Sequence, residues 1–122
     1  MFFNYCTYFD KNYLSKFLAL KNSIENFNSE VFFFILALDN YVEDFLKKNK
    51  IKNIEVISLK DLEQRYKDLK IAKNNRDLIE YYFTLSPFLP KYIFEKFKCT
   101  NIAYVDSDFF FSRTQLNYFS KL

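Results

Sequence analysis

The chain has 122 residues, of which 50% are hydrophobic and 22% aromatic, so it can build one domain with a dense core and is not a disordered chain. It contains no glycine and no histidine, which excludes glycine-rich phosphate loops, histidine triads and histidine metal sites. The net charge is +3, and because acidic and basic residues are interleaved, nothing indicates a nucleic-acid partner.

The first half of the chain alternates strand and helix patterns. Residues 2–9 are rich in aromatic and β-branched side chains and predict a strand, and residues 13–27 carry apolar side chains at helical spacing. Residues 31–38 are apolar throughout, which is typical of a strand covered on both faces. Asp39 then begins a second helix, and residues 54–57 predict a short third strand.

Two further helices are predicted before the last strand. Ser58 and Asp61 form a capping pattern ahead of a polar helix, which we expect to run to about Ala72. A longer helix is predicted over about residues 75–97. We expect it to kink or restart at the Ser-Pro pair 86–87, which resembles an N-cap followed by a first-turn proline.

Residues 101–105 predict the last strand, which ends in Asp106-Ser107-Asp108 and an aromatic run, and Ser112 is a candidate cap for a short final helix. The resulting order of strands and helices is typical of an α/β domain. We therefore expect a single domain over residues 1–122, built on a doubly wound, mostly parallel sheet with helices on both faces.

The cysteines and the apolar runs bear on location. Cys6 and Cys99 lie far apart without metal-type spacing, which predicts two reduced, buried thiols. The start of the chain lacks a signal-peptide pattern, and the longest apolar run, residues 31–38, is far shorter than the roughly 20 residues that span a bilayer. We expect a cytoplasmic protein without a transmembrane segment, at most peripheral to the inner membrane.

The candidate ligand-binding residues follow the ends of predicted strands. Parallel sheets bind ligands at the carboxyl ends of their strands, so a site is expected at these positions. Asp106 and Asp108, two residues apart, can aim at one ion, and carboxylate oxygens suit Mg²⁺ or Mn²⁺. Such an ion would bridge nucleotide phosphates and stabilise a departing diphosphate. The alternative is that both carboxylates only form a turn.

Three segments carry a resemblance to a known family. Residues 102–111, IAYVDSDFFF, resemble the strand and DxD motif of GT-A-fold glycosyltransferases that use nucleotide sugars. Residues 4–13, NYCTYFDKNY, are similar to the opening of family 8 and related bacterial transferases, and residues 75–87 are similar to the helix before the DxD motif. The resemblance covers residues 2–122 and implies the donor-binding half of such an enzyme, a truncated GT-A fold.

The resemblance also implies roles for particular residues. Asp106 would lie near the ribose and the metal, and Asp108 would ligate the metal more directly. Thr7 and Tyr8 fall where the first strand of the family lines the nucleobase. Tyr13 matches a position similar to a uracil-stacking aromatic, although an ordinary apolar contact of the first helix explains it equally well.

Two more residues are candidates for the donor site. Asp39 could reach the nucleotide or serve only as a helix N-cap. Arg76 could pair with donor phosphates through its guanidinium or be a surface arginine. The family often carries a sugar-contacting arginine further along this helix, where the present sequence has Thr84-Leu85-Ser86-Pro87.

The implied enzyme uses Mn²⁺ or Mg²⁺ and a nucleotide-diphosphate sugar, UDP-sugar foremost, with a glycan or lipid-linked acceptor in surface polysaccharide or lipopolysaccharide synthesis. Family 8 completes its metal site with a histidine beyond the DxD motif, and this sequence has none. We therefore expect the acceptor half and the catalytic base outside these residues, in a longer or truncated protein, unless the group uses a different third ligand.

Two other functions remain open. The chain could be a non-catalytic interaction module or an inactive truncated transferase that forms homo-oligomers through exposed apolar surface. Phosphatases of the haloacid dehalogenase type also place DxD after a strand. Their motif opens the first strand and has threonine or valine where this chain has Phe110, so this function fits less well.

Overall fold

The computed structural model describes residues 3–99 and 101–105. Its strands are β1 (Phe3–Phe9), β2 (Val31–Ala37), β3 (Ile54–Ser58) and the two-residue β4 (Ala103–Tyr104). All pairings among them are parallel, and the strands lie in the order β3-β2-β1-β4. The predicted strands are thus confirmed, and β4 is shorter than predicted.

Six helices connect these strands. They are α1 (Leu14–Phe27), α2 (Asn40–Lys48), α3 (Leu59–Arg65), α4 (Asp68–Asn75), α5 (Leu78–Leu85) and α6 (Phe88–Phe97), and a 3₁₀ turn over Lys11–Tyr13 precedes α1. Within the described residues no helix combines the length and the apolar character needed to cross a membrane.

Alternation along β2 explains why both faces of the sheet are covered. Phe33 and Ile35 pack into a core with α1 and α2, whereas Phe34 and Leu36 pack into a second core with helices α3 to α6. Successive side chains of a strand point to opposite faces, so an apolar run can feed two cores at once. The predicted doubly wound α/β fold with helices on both faces is confirmed.

The prediction of one polar helix from Ser58 to about Ala72 is wrong. The backbone turns extended at Tyr66, so α3 ends before it and α4 begins after it. Tyr66 instead uses its side chain across the helix layer: its hydroxyl donates to Glu95 Oε1 at 2.6 Å, and its ring lies 5.3 Å from that of Phe88. The predicted cap is confirmed, since Ser58 Oγ accepts from the Asp61 N–H at 3.1 Å.

The helix predicted over about residues 75–97 is two helices with a later start. Asp77 caps α5 by accepting the Glu80 N–H at 2.8 Å, so α5 begins at Leu78. The predicted restart at the Ser-Pro pair is confirmed, because α5 ends at Leu85 and α6 begins at Phe88. Ser86 does not cap α6, and its hydroxyl bonds to Tyr8 instead.

Candidate functional site

The strand order reverses at β1, which fixes where a ligand site belongs. β1, β2 and β3 succeed one another in one direction, and β4 returns to the other side of β1. Sheets of this class bind ligands at the carboxyl ends of the strands beside such a reversal, which here are β1 and β4. The Val105 N–H donates to the Cys6 carbonyl at 2.9 Å. Asp106 and Asp108, the predicted metal ligands, follow Val105 in sequence and lie outside the described residues.

Asp39 joins the two loops that follow β1 and β2. One carboxylate oxygen accepts the Val42 N–H at 2.8 Å and caps α2, and the other accepts the Lys11 N–H at 2.8 Å from the loop after β1. Asp10, which was not among the predicted site residues, accepts the Asn12 N–H at 2.9 Å through Oδ1. The N-cap role of Asp39 is confirmed, and its contact with a nucleotide stays a prediction.

Tyr8 links the end of β1 to the junction of helices α5 and α6. Its hydroxyl shares a hydrogen bond of 3.1 Å with the hydroxyl of Ser86, at the junction of α5 and α6. Its ring centroid lies 5.9 Å from that of Tyr104 on β4. The half-buried Tyr8 therefore stands at the point where β1, β4 and α5 meet.

Thr7 is a buried neighbour of Tyr8 on β1. Its side chain points to the opposite face of the sheet, because successive residues of a strand alternate. The residue is 1% exposed, and within the described part of the chain its Oγ1 has no hydrogen-bond partner. Since an unpaired buried hydroxyl is costly, Thr7 stands out beside the end of β4. Its contact with a nucleobase stays a prediction.

Tyr82 on α5 belongs to the same region, although no sequence pattern singled it out as a site residue. Burial raises the pKa of the Tyr82 phenol, and the carboxylates of Asp10 and Asp39 raise it further. The hydroxyl therefore lies within electrostatic reach of both acids at the end of the sheet. Tyr82 lies four residues before Ser86 and therefore on the same face of the helix. That spacing points to the end of β1 only after the contact of Ser86 with Tyr8 is known.

Tyr13 and Arg76 stand apart from this group. Tyr13 lies in the 3₁₀ turn and is 36% exposed, with the Lys16 ammonium 4.9 Å from its ring centre, so it is a surface aromatic and not part of the buried stripe of α1. Arg76 is exposed between α4 and α5. Its charge acts on Glu80, whose pKa is raised above all by a hydrogen bond with Asp77 and lowered in part by Arg76.

A cleft of about 360 Å³ adjoins Asp39 on the side of β3. It lies between the carboxyl ends of β2 and β3, and Leu38, Ser58 and Glu63 contribute to its walls. Its volume falls within the range of small-molecule sites. The cleft places Asp39 at an open, partly polar surface along the carboxyl edge of the sheet.

The described residues by themselves do not form a metal site. No group of three or more cysteine, aspartate or glutamate side chains within residues 3–99 and 101–105 is arranged to hold an ion. Both oxygens of Asp39 already accept backbone N–H groups. Oxygen ligands of the kind that Mg²⁺ and Mn²⁺ prefer would have to come from Asp106 and Asp108, whose chemistry fits these ions.

Comparison with known proteins gives one relative of unstated activity. The chain is 32% identical over 108 residues to the uncharacterized protein YfnF of Bacillus subtilis (strain 168), a match that covers 88% of this chain and 35% of YfnF. The chain thus spans about a third of the length of that relative. No family model matches the chain, and no solved structure matches it.

Proposed function

We propose that this chain is the donor-binding part of a metal-dependent glycosyltransferase that takes its sugar from a nucleotide diphosphate, UDP-sugar foremost. The observation that carries the proposal is the pairing of β4 with β1, which brings Val105 beside Cys6. The next residues in sequence are Asp106-Ser107-Asp108, and a ligand crevice in this class of sheet lies where the strand order reverses.

The side chains around this end of the sheet would contact different parts of the donor. A Mn²⁺ or Mg²⁺ ion held by Asp106 and Asp108 would stabilise negative charge on the departing diphosphate. The carboxylates of Asp10 and Asp39 repel phosphate, so the neutral nucleoside belongs on their side. Tyr13, exposed on the following turn, can stack on a base, whereas Arg76 must reach the phosphates from outside the group around Asp39.

The proposal extends to the setting of the reaction. The acceptor is a glycan or a lipid-linked glycan of surface polysaccharide or lipopolysaccharide synthesis. The site of action is the cytoplasm or the inner face of the membrane, and the free thiols of Cys6 and Cys99 support a reducing compartment. Because the chain spans about a third of YfnF, we expect these residues alone to bind the donor without transferring its sugar.

Calorimetric titration of the chain with UDP in the presence and absence of Mn²⁺ tests the proposal. We expect metal-dependent binding that Asp108→Ala weakens by at least about tenfold, since even indirect disruption of a metal site costs roughly 10- to 100-fold in affinity. Asp44→Ala, which removes an exposed carboxylate from α2, is the matched control and should bind like the parent chain. Absence of binding by the parent chain at millimolar UDP and Mn²⁺ would overturn the proposal.

One observation favours a second function, that of a non-catalytic interaction module. Three large apolar side chains on α4 and α5 are highly exposed: Ile71 at 63%, Leu78 at 61% and Phe83 at 70%. Exposed apolar surface is typical of contact sites. A chain that self-associates in light scattering and gains no thermal stability from UDP and Mn²⁺ would favour this second function over the first.

A further inference from the structure

Three exposed lysines lie in the segment that joins α2 to β3. Residues 45–54, FLKKNKIKNI, contain four lysines and no acidic residue, so this segment carries more positive charge than the whole chain, whose net charge is +3. Lys47 is paired with Glu43 at 3.5 Å. Lys48, Lys50 and Lys52, which we call the basic segment, are exposed and form no ion pair with other described residues. They make a local basic surface on an otherwise nearly neutral chain.

The backbone of the basic segment is fixed at both ends. Asn49 donates to the Phe45 carbonyl at the end of α2, from its backbone N–H at 3.1 Å and from Nδ2 at 2.8 Å. The Asn53 carbonyl accepts the Phe33 N–H at 3.0 Å, which holds the start of β3 against β2. Between these bonds Lys50 has a left-handed backbone with a φ of 49°, a conformation that asparagine adopts at less cost. An ordered turn therefore presents the three lysines.

The basic segment lies at the amino edge of the sheet, opposite the candidate donor site. It leads into β3, and because β3 is parallel to β2, both strands begin at this edge. α1 covers the same face of the sheet as α2 and ends just before β2. Its last residue, Phe27, is 39% exposed, and Ile51 beside the lysines is half-buried. Cationic and partly exposed apolar side chains therefore occur together at this edge.

We propose that this surface binds an anionic lipid membrane, with the basic segment on the lipid headgroups and Phe27 in the interfacial layer. A lysine close to an anionic bilayer strengthens binding about fivefold, and a buried apolar ring adds to it. A membrane fits better than a nucleic acid because the segment has no arginine, whose guanidinium fork suits phosphodiesters, and because a phosphate backbone offers no apolar contact to Phe27. The inference goes beyond the proposed function and does not depend on donor binding.

Co-sedimentation with vesicles tests the lysines. We expect the parent chain to bind vesicles of phosphatidylglycerol mixed with phosphatidylcholine, to leave pure phosphatidylcholine vesicles unbound, and to dissociate as salt is raised. The test variant replaces the whole basic segment: Lys48→Gln, Lys50→Asn and Lys52→Gln. It should bind about a hundredfold more weakly, from about fivefold per lysine, and keep the parent melting temperature because no ion pair is lost. The matched control removes equal charge from exposed lysines on the helix layer of the other face: Lys60→Gln, Lys67→Gln and Lys70→Gln. It should lose less than about fivefold.

Fluorescence tests the contact of Phe27. The chain has no tryptophan, so Phe27→Trp introduces a single reporter at the end of α1. We expect its emission to shift to shorter wavelength when the anionic vesicles are added, because the ring leaves water. Tyr41→Trp places the reporter at an exposed position in the first turn of α2, near the carboxyl edge, and should not shift.

Four other results would overturn the membrane assignment. They are no binding of the parent chain to anionic vesicles, equal losses in the two triple variants, a shift of Tyr41→Trp as large as that of Phe27→Trp, and tighter, lysine-dependent binding to polyuridylic acid than to vesicles. The last result would assign the surface to nucleic acid. None of these measurements uses UDP, so their failure leaves the glycosyltransferase proposal standing, and failure of that proposal leaves this one standing.

Discussion

The two cysteines differ in their access to water, although the sequence predicts both as buried. Cys6 on β1 is 0% exposed, and burial raises the pKa of its thiol to about 12. Cys99, which follows α6, is only half-buried, and burial raises its pKa as well. The prediction of a buried thiol is thus confirmed for Cys6 and wrong for Cys99, whose position after the helix end leaves it partly open.

This difference predicts selective thiol chemistry. At pH 8 a thiol with a pKa near 12 is ionised to about one part in ten thousand, so Cys6 should be unreactive in the folded chain. We expect Ellman's reagent to titrate one thiol per chain under native conditions and both in denaturant. Cys99→Ser should abolish the native reaction, and Cys6→Ser should leave it intact. Rapid native reaction of two thiols would contradict the burial of Cys6.

The element that depends most on a single side chain is α2, because Asp39 both caps it and holds the loop after β1. We expect Asp39→Ala to destabilise the chain by about 1–2 kcal/mol in urea unfolding, the usual cost of a lost N-cap plus one further bond. Asp39→Asn retains an acceptor for the Val42 N–H and should cost less. Asp44→Ala on the same helix should change stability by less than about 0.5 kcal/mol. Equal stability of Asp39→Ala and Asp44→Ala would show that the bonds of Asp39 to the Val42 and Lys11 N–H groups do not stabilise the chain.

Local patterns predicted the elements whose causes are local. The apolar run of β2 and the caps at Asp39 and Ser58 depend on neighbouring residues, so the sequence identifies them. The break at Tyr66 depends on Glu95, 29 residues away, and no periodicity reveals it. Tyr82 was missed for the same reason, since the influence of Asp10 on its pKa depends on how α5 is placed in the folded chain.

For the molecule as a whole, the sequence predicted the layers but not the order of the strands. Apolar strands alternating with amphipathic helices indicate a parallel sheet covered on both faces. Whether β4 joins the edge of β3 or returns to β1 depends on the packing of α3 to α6, and the structure shows the return to β1. This order brings the end of β1 to the residues that precede Asp106, so the location of the candidate site is a property of the topology.

The helix layer over one face of the sheet is held by two phenol–carboxylate bonds. The Tyr81 hydroxyl donates to Glu63 and joins α5 to α3, and the Tyr66 hydroxyl donates to Glu95 and joins the end of α3 to α6. Burial raises the pKa of both phenols, with a further rise from the bonded carboxylates, and that of Tyr66 reaches about 12. Each bond requires a protonated phenol as its donor. The packing of this layer should therefore weaken at alkaline pH, where the phenols ionise.

The sign of that coupling follows from the two states of the chain. A phenol ionises near pH 10 in the unfolded chain and at higher pH in the folded one, so the stabilisation is complete below about pH 10 and is lost as pH rises through about 12. We expect the urea midpoint of the parent chain to fall over this range and that of the double variant Tyr66→Phe, Tyr81→Phe to fall less steeply. Tyr41→Phe, which removes an exposed phenol, should retain the parent slope. Equal slopes in all three chains would contradict a role for these bonds, because lysine deprotonation alone affects each chain alike.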